Sequence, residues 1–190
     1  TDSVRISKES MDDAKKYILE KYGKEFLPET PNIYKSKKLA QEAHEAIRPA
    51  LPLREPNSIK EHLSVDQFKL YTLIWNRFIS SQMMPAVFSV VSVDIKAGSY
   101  IFRAQGSQKI FAGFSIIYEE NIEEKEEEKV LPPLEAGEEI DLLKFNPTQH
   151  FTKPPPRFSD ASLVKALEEY GIGRPSTYAP TIQTIVARNY

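Results

Sequence analysis

The residues best suited to chemistry stand together in the motif QEAHEAIRP, from Gln41 to Pro49. His44 can be neutral or charged near pH 7. Arg48 keeps its charge and can donate two hydrogen bonds to a phosphate. If this motif is a short helix, the two side chains share one face, because residues four apart are neighbours on a helix. The pair then predicts a phosphodiester site. The alternative is a solvent-exposed helix end or turn that binds nothing, and residue types alone leave both open.

A second candidate site is the segment GIGRPSTY, at 171–178, between two predicted helices. Arg174 precedes a helix that Ser176 is expected to cap, where free amide groups and the helix dipole favour an anion. Thr177 and Tyr178 add a hydroxyl and an aromatic ring. Phosphates, sugars and bases of a nucleic-acid strand match these groups. The alternative is an ordinary helix end followed by an ordinary helix cap.

Composition narrows the class of protein. The chain has 190 residues, of which 41% are hydrophobic and 27% charged, and this permits a packed core in one or two domains. It has no cysteine, which excludes disulfides, thiolate metal sites and a cysteine nucleophile. No apolar run reaches the ~20 residues of a membrane span and we find no secretion signal. We therefore expect a cytoplasmic protein without membrane contact.

Charge is distributed unevenly along the chain. The segment from Glu119 to Asp141 has eleven acidic residues and two lysines, whereas the whole chain has a net charge of −2. The remainder is therefore net positive, which suits a polyanion such as nucleic acid, although such a surface is also ordinary. We expect residues 119–129 to form a loop that faces away from a nucleic acid.

The N-terminal half has clear helix and strand signals. Hydrophobic periodicity predicts helices at 7–22 and 64–82, and the second begins with the capping-box pattern SVDQ. From 86 to 118 apolar and polar residues alternate around a turn at Ala97-Gly98. We expect breaks in this pattern at Gly106 and Gly113. This pattern predicts an antiparallel hairpin.

The C-terminal part is expected to be mostly helical. A further strand is predicted at 139–145, followed by a stiff proline-rich segment at 153–157. Beyond it, Ser159 caps a helix, and a second helix begins near Ser176. The fold class is therefore α+β: a helical segment, an antiparallel β-rich segment and a helical pair.

Three stretches together resemble the bacterial type IA DNA topoisomerases. They are QEAHEAIRP at 41–49, LYTLIWNRFISSQM at 70–83 and PPPRFSDASLVKALEEYGIGRPSTYAPTIQTI at 154–185. The resemblance implies an ATP-independent isomerase that relaxes negatively supercoiled DNA. Such an enzyme cleaves one strand through a 5′-phosphotyrosine bond, passes the other strand through the gap, and requires Mg²⁺ when intact. The expected partner is DNA, preferentially single-stranded, in the cytoplasm at the bacterial nucleoid.

The resemblance also implies roles for particular residues. The family's nucleophile is a tyrosine in a Tyr-x-Arg-Thr-Asp-Ser pattern, and this chain begins at Thr1-Asp2-Ser3. We therefore expect a fragment that starts just after the nucleophile, holds no cofactor and cannot cleave DNA alone. His44 and Arg48 are expected near the scissile phosphate and Asp2 near the nucleophile. The residues expected to bind the single strand are Arg174, Ser176, Thr177 and Tyr178.

By the same resemblance, residues 1–83 belong to the helical domain that carries the tyrosine. Residues 84–155 belong to the β-rich arch of the DNA gate, and 156–190 begin the helical domain that holds the single strand. In the family the arch also uses a segment N-terminal to the tyrosine, so exposed sheet edges, or a dimer that pairs them, are expected. Two alternatives remain: a helix-turn-helix module at 159–188 that binds nucleic acid without catalysis, and a structural scaffold.

Overall fold

The computed structural model describes residues 3–35, 44–118 and 130–190. Ser3–Pro133 form one compact unit, and the described part of a second unit runs from Leu134 to Tyr190. The expected acidic loop at 119–129 lies outside the described residues. The boundaries predicted near 83 and 155 refer to the intact family and stay predictions.

None of the described helices is both long enough and apolar enough to span a membrane.

Helix α1, Lys8–Lys21, confirms the first predicted helix. Ser7 is its cap, because the Ser7 hydroxyl accepts a hydrogen bond of 3.3 Å from the backbone N–H of Ser10. Gly23, with φ of 99°, follows the helix end in a conformation that costs glycine little. The helix buries Ala14 and Ile18 against the core.

Helix α2, Val65–Ser81, is the central element of the first unit. The predicted capping box is present: Ser64 Oγ accepts from Gln67 N at 3.3 Å, and Gln67 Oε1 accepts from Ser64 N at 2.9 Å. Trp75 packs edge-on against Tyr17 of α1, with ring centroids 5.1 Å apart. The Trp75 indole donates to the carbonyl of Pro52 at 2.9 Å, so this buried polar group is satisfied. These contacts hold α1 and α2 together.

Short 3₁₀ helices connect these elements at Lys24–Phe26, Pro56–His62 and Gly113–Ile116.

The predicted hairpin is confirmed by strands β1, Val87–Ala97, and β2, Tyr100–Phe111. They pair antiparallel from Val87 opposite Phe111 to Ala97 opposite Tyr100, and within the described residues they form a two-stranded sheet. Gly98, with φ of 61°, makes the turn. Gly106 does not break the strand as expected, because it pairs with Val91 inside β2.

The base of the hairpin is fixed to the first unit by backbone hydrogen bonds. Met84 N donates to the Phe26 carbonyl at 2.9 Å, and Phe114 N donates to the Met84 carbonyl at 2.8 Å. Gly113 has φ of 49°, and any side chain there would clash with the backbone of Pro85. Both ends of the hairpin are therefore attached close to the C-terminal end of α2.

The second unit contains α3, Asp160–Glu169, and α4, Pro175–Ala187. Ser159 caps α3 as predicted, through its hydroxyl and the N–H of Ser162 at 3.3 Å. The strand predicted at 139–145 is wrong: this segment has neither helix nor strand. Apolar alternation is not enough for a strand, because the backbone also needs a neighbouring strand to pair with. No described residue of this unit is fully buried.

Candidate nucleic-acid interface

The backbone from His44 to Pro49 is not helical, so the shared helix face expected for His44 and Arg48 is wrong within the described residues. Ala46 N instead donates to the carbonyl of Arg5 at 2.8 Å. In addition, a residue that precedes proline disfavours the helical region, and Arg48 precedes Pro49. The motif is therefore an irregular segment tied to the N-terminal segment of the unit.

Arg48 is held in place by its own neighbours. Its Nη2 and Nε atoms lie 2.8 and 3.2 Å from Oε2 of Glu45, and its Nη1 donates to the Pro49 carbonyl at 3.2 Å. The Arg48 side chain is 21% exposed, whereas the side chain of Glu45 is 47% exposed. His44 is exposed to solvent. The predicted cation of the phosphate site is thus accessible but already paired with a carboxylate.

Glu45 is the residue that sequence reasoning missed at this site. Its spacing of three residues from Arg48 could have indicated this ion pair. Both contacting nitrogens of Arg48 face one oxygen of Glu45, so a phosphate that binds the Nε–Nη2 edge would replace this carboxylate. Glu45 therefore competes with the ligand that Arg48 is predicted to bind.

An apolar groove lies beside this segment. Its volume is about 360 Å³. The groove lies between residues 4–6, Tyr34, residues 46–47, the second half of α2 and the segment after β2. The residues that line it are Val4, Ile6, Tyr34, Ala46, Ile47, Arg77, Phe78, Ser80, Ser81, Phe114 and Tyr118. No local sequence pattern predicts this groove, because its walls come from five separate parts of the chain.

Arg77 and two tyrosines add polar groups to the groove. The Arg77 guanidinium lies over the ring of Tyr118, with 5.2 Å between its central carbon and the ring centroid. The Tyr34 hydroxyl donates to the Ser81 carbonyl at 2.7 Å. Burial raises the pKa of Tyr34, and the positive charge of Arg77 partly opposes that shift. Tyr34 therefore stays a neutral hydrogen-bond donor near pH 7.

Asn32 anchors the chain shortly before the motif. Its Nδ2 donates to the carbonyls of Ser81 and Met83 at 2.9 and 3.0 Å. The last carbonyls of a helix have no partner within the helix, so Asn32 satisfies groups at the C-terminal end of α2. It thereby attaches residues 31–35 to α2.

The second candidate segment forms the turn between α3 and α4. Helix α4 begins at Pro175 after the cap position Arg174, so the expected cap at Ser176 is wrong. Proline is favoured at the first helical position, where its fixed φ suits the helix and its missing N–H is not needed. Thr177 Oγ1 accepts from Arg174 N at 2.8 Å and contacts the Arg174 carbonyl at 3.0 Å. The Thr177 hydroxyl therefore stabilises the turn.

Gly173 lets the chain turn tightly at this point. Its φ is 80°, and a Cβ atom there would lie 3.1 Å from Thr177 Oγ1 and 3.3 Å from Cε1 of Tyr178. The Tyr178 ring thus packs close to the turn, while Arg174 and Ser176 are exposed. The structure brings Arg174, Thr177 and Tyr178 together in one turn. Asp2, the remaining predicted site residue, lies outside the described residues.

Across 3–35, 44–118 and 130–190, no three acidic or histidine side chains cluster closely enough to hold a metal ion. The Mg²⁺ that the resemblance implies for the intact enzyme has no part in the steps proposed below.

Comparison with known proteins identifies the family. A family model described as DNA topoisomerase matches residues 1–190. The chain belongs to the DNA topoisomerase family. This topoisomerase chain is 47% identical over 197 residues to DNA topoisomerase 1 of Xylella fastidiosa, in strains Temecula1 and 9a5c alike. Each match covers 100% of the chain and 24% of the relative, so the chain spans about a quarter of the length of these relatives.

A solved structure supports the same family. Full-length topoisomerase I from Thermotoga maritima, in a monoclinic crystal form, matches the topoisomerase chain with a TM-score of 0.79 and 35% sequence identity. The match covers 100% of this chain and 30% of that one. The predicted resemblance and the predicted α+β order of helical segment, antiparallel strands and helical pair are thereby confirmed.

Proposed function

We propose that this chain is a DNA-binding part of a bacterial type IA topoisomerase, an ATP-independent isomerase that relaxes negatively supercoiled DNA. The observation that supports this most strongly is the family match along all 190 residues. The enzyme would act in the cytoplasm at the nucleoid. Its Mg²⁺ would be bound by parts of the enzyme other than the described residues.

In the proposed mechanism, a tyrosine attacks a DNA phosphate and forms a 5′-phosphotyrosine bond, and the released 3′-hydroxyl later reverses the step. We place the nucleophile outside this chain, because none of its nine tyrosines stands in the family's Tyr-x-Arg-Thr-Asp-Ser pattern. Asp2, which matches the aspartate of that pattern, would orient neighbouring groups.

Arg48 would stabilise the charge of the scissile phosphate. Its guanidinium is already positioned by Glu45 and the Pro49 carbonyl, so it needs only to exchange the carboxylate for a phosphate oxygen. His44, four residues earlier and exposed, would donate a hydrogen bond to the phosphate or assist proton transfer. In the intact enzyme, Arg48→Ala should lower cleavage or religation about 10²–10³-fold, the usual effect of removing one charge-stabilising donor. Relaxation at nearly the wild-type rate would exclude this role.

The turn before α4 would bind the single strand that leads to the cleavage site. The exposed Arg174 would contact a phosphate beside the free amide groups of the helix N-terminus. Tyr178 would stack on a base, and Ser176 would donate from its hydroxyl. Thr177, whose hydroxyl is engaged with Arg174, would position the turn.

A binding titration over a range of salt concentrations tests this proposal. The chain should bind single-stranded DNA more tightly than duplex DNA, and the affinity should fall as salt rises. Arg174→Ala should weaken single-strand binding. Arg188→Ala, a matched change at the other end of α4, should change it much less. Unchanged affinity for Arg174→Ala would remove that residue from the site.

The same titration distinguishes the proposed function from a helix-turn-helix module and from a structural scaffold. A helix-turn-helix reader should bind duplex DNA at least as tightly as a single strand, and Arg188→Ala should weaken its duplex binding. Complete absence of binding would favour a scaffold. We retain the topoisomerase proposal because the start of α4 offers Ser176 and Thr177 but few long polar side chains that read bases.

We also propose that the isolated chain can dimerise through the hairpin. In the described residues β1 and β2 pair only with each other, and both strands carry exposed apolar residues. Such edges can pair with another copy. Sedimentation over a range of concentrations tests this, and a monomer throughout would exclude it.

A further inference from the structure

The apolar groove carries an inference about how the DNA strand is bound. Its walls are formed by apolar side chains of Val4, Ile6, Ala46, Phe78 and Phe114. Its volume of about 360 Å³ lies within the roughly 300–1,000 Å³ range typical of small-molecule sites. A groove of this size and character fits a flat, largely apolar group better than a phosphate.

The polar groups of the groove favour an anionic group attached to that flat group. Arg77 is exposed and lies over the ring of Tyr118, and its fixed positive charge favours an anion nearby. Tyr34 and Tyr118 add aromatic rings, on which bases stack without regard to sequence. A nucleotide has both properties, because its base is flat and its phosphate is anionic.

The position of the groove links it to the proposed phosphate site. Ala46 and Ile47 line the groove, and the next residue along the chain is Arg48. The Ala46 N–H is bonded to the Arg5 carbonyl, which keeps this segment against the wall that carries Val4 and Ile6. A strand whose phosphate contacts Arg48 therefore passes beside the groove.

We propose that the apolar groove receives one unstacked base of the single DNA strand whose phosphate Arg48 binds. Arg77 then contacts a neighbouring phosphate. This inference rests on the proposed function. It adds a base site that is independent of the turn before α4 and is not selective for one base, since its walls are mostly apolar.

The test compares two strands with equal numbers of phosphates. The 190-residue chain is titrated with labelled oligothymidylate and with an abasic strand of the same length. The wild-type chain should prefer the strand with bases by on the order of tenfold, the effect expected for one or two stacked bases. Ala46→Leu fills the groove, and should weaken oligothymidylate binding severalfold without changing abasic-strand binding.

The control is Ala50→Leu, the same substitution four residues later at an exposed position outside the groove. It should leave both affinities unchanged. If Ala46→Leu has no effect, or weakens both strands equally, the base site is refuted while the proposed DNA binding stands. If the wild-type chain binds neither strand, the proposed function and this inference fail together.

A second measurement needs no variant. A base in the groove should shift the methyl NMR signals of Ala46 and Ile6 by its ring current when oligothymidylate is added. The abasic strand should not produce these shifts. Methyl signals that respond identically to both strands would overturn the inference even if the variants were unstable.

Discussion

Glu45→Gln should strengthen DNA binding, because the Glu45 carboxylate accepts from the Arg48 N–H groups that a DNA phosphate is proposed to bind. In the free protein, two nitrogens of Arg48 contact one oxygen of Glu45, at 2.8 and 3.2 Å. Glutamine has nearly the same shape but no charge. The substitution therefore leaves the segment intact and removes the competing anion.

The size of the effect follows from the exposure of the pair. The side chains of Glu45 and Arg48 are 47% and 21% exposed, so solvent screens much of their attraction. Exposed ion pairs contribute about 0.2–1 kcal/mol, and removing this competition should raise the affinity by about 1.4- to 5-fold. The gain should shrink at high salt, because screening weakens surface charges.

Single-strand binding by fluorescence anisotropy at low salt measures this gain. Glu61→Gln removes the same charge from an exposed side chain elsewhere in the first unit and serves as the matched control. The decisive comparison is a double-mutant cycle with Arg48→Ala, in which the gain from Glu45→Gln should disappear. A gain that persists without Arg48 would show that Glu45 acts only through general repulsion, and no gain at all would refute the competition.

Three further predictions concern stability and ionisation. Asn32→Ala should lower the free energy of unfolding, measured with urea, by about 1–3 kcal/mol, because two hydrogen bonds to the end of α2 are lost. Ser64→Ala should cost about 1 kcal/mol in the same assay, because α2 loses its cap; a negligible cost would show that the cap is dispensable. The hydrogen bonds from Arg103 lower the pKa of Asp94. The stabilising effect of this pair should therefore be present above the ordinary carboxyl pKa and be lost as pH falls through the lowered value. A carboxyl NMR titration of Asp94 in its ordinary range would contradict this.

Structural features that depend on residues close in sequence, such as helix caps and the hairpin turn, were predictable. Ser7, Ser64 and Ser159 each accept a hydrogen bond from the residue three positions later, so a short stretch of sequence contains the whole interaction. The hairpin was predictable for the same reason, because β1 and β2 are joined by a two-residue turn.

Structural features that depend on contacts between residues far apart in sequence were not predictable. The motif at 44–49 would be a reasonable helix by composition, but Ala46 is bonded to Arg5, far away in sequence. Asn32 anchors the end of α2, with Ser81 standing 49 positions later. The apolar groove combines five such separate segments. Sequence thus predicts which residues could bind a phosphate, His44 and Arg48, but not the irregular backbone that presents them.

The second unit shows which structural elements short sequence patterns can predict. Helix α3 has the expected cap at Ser159, whereas the cap position of α4 is Arg174 and not Ser176. None of the described residues from 134 to 190 is fully buried. Ile140 and Leu142 stand on either side of Asp141, a spacing typical of a strand, but they are exposed and the backbone is not in a sheet. Local hydrogen bonds are enough to form a capped helix pair, whereas a strand and a buried core require a second surface.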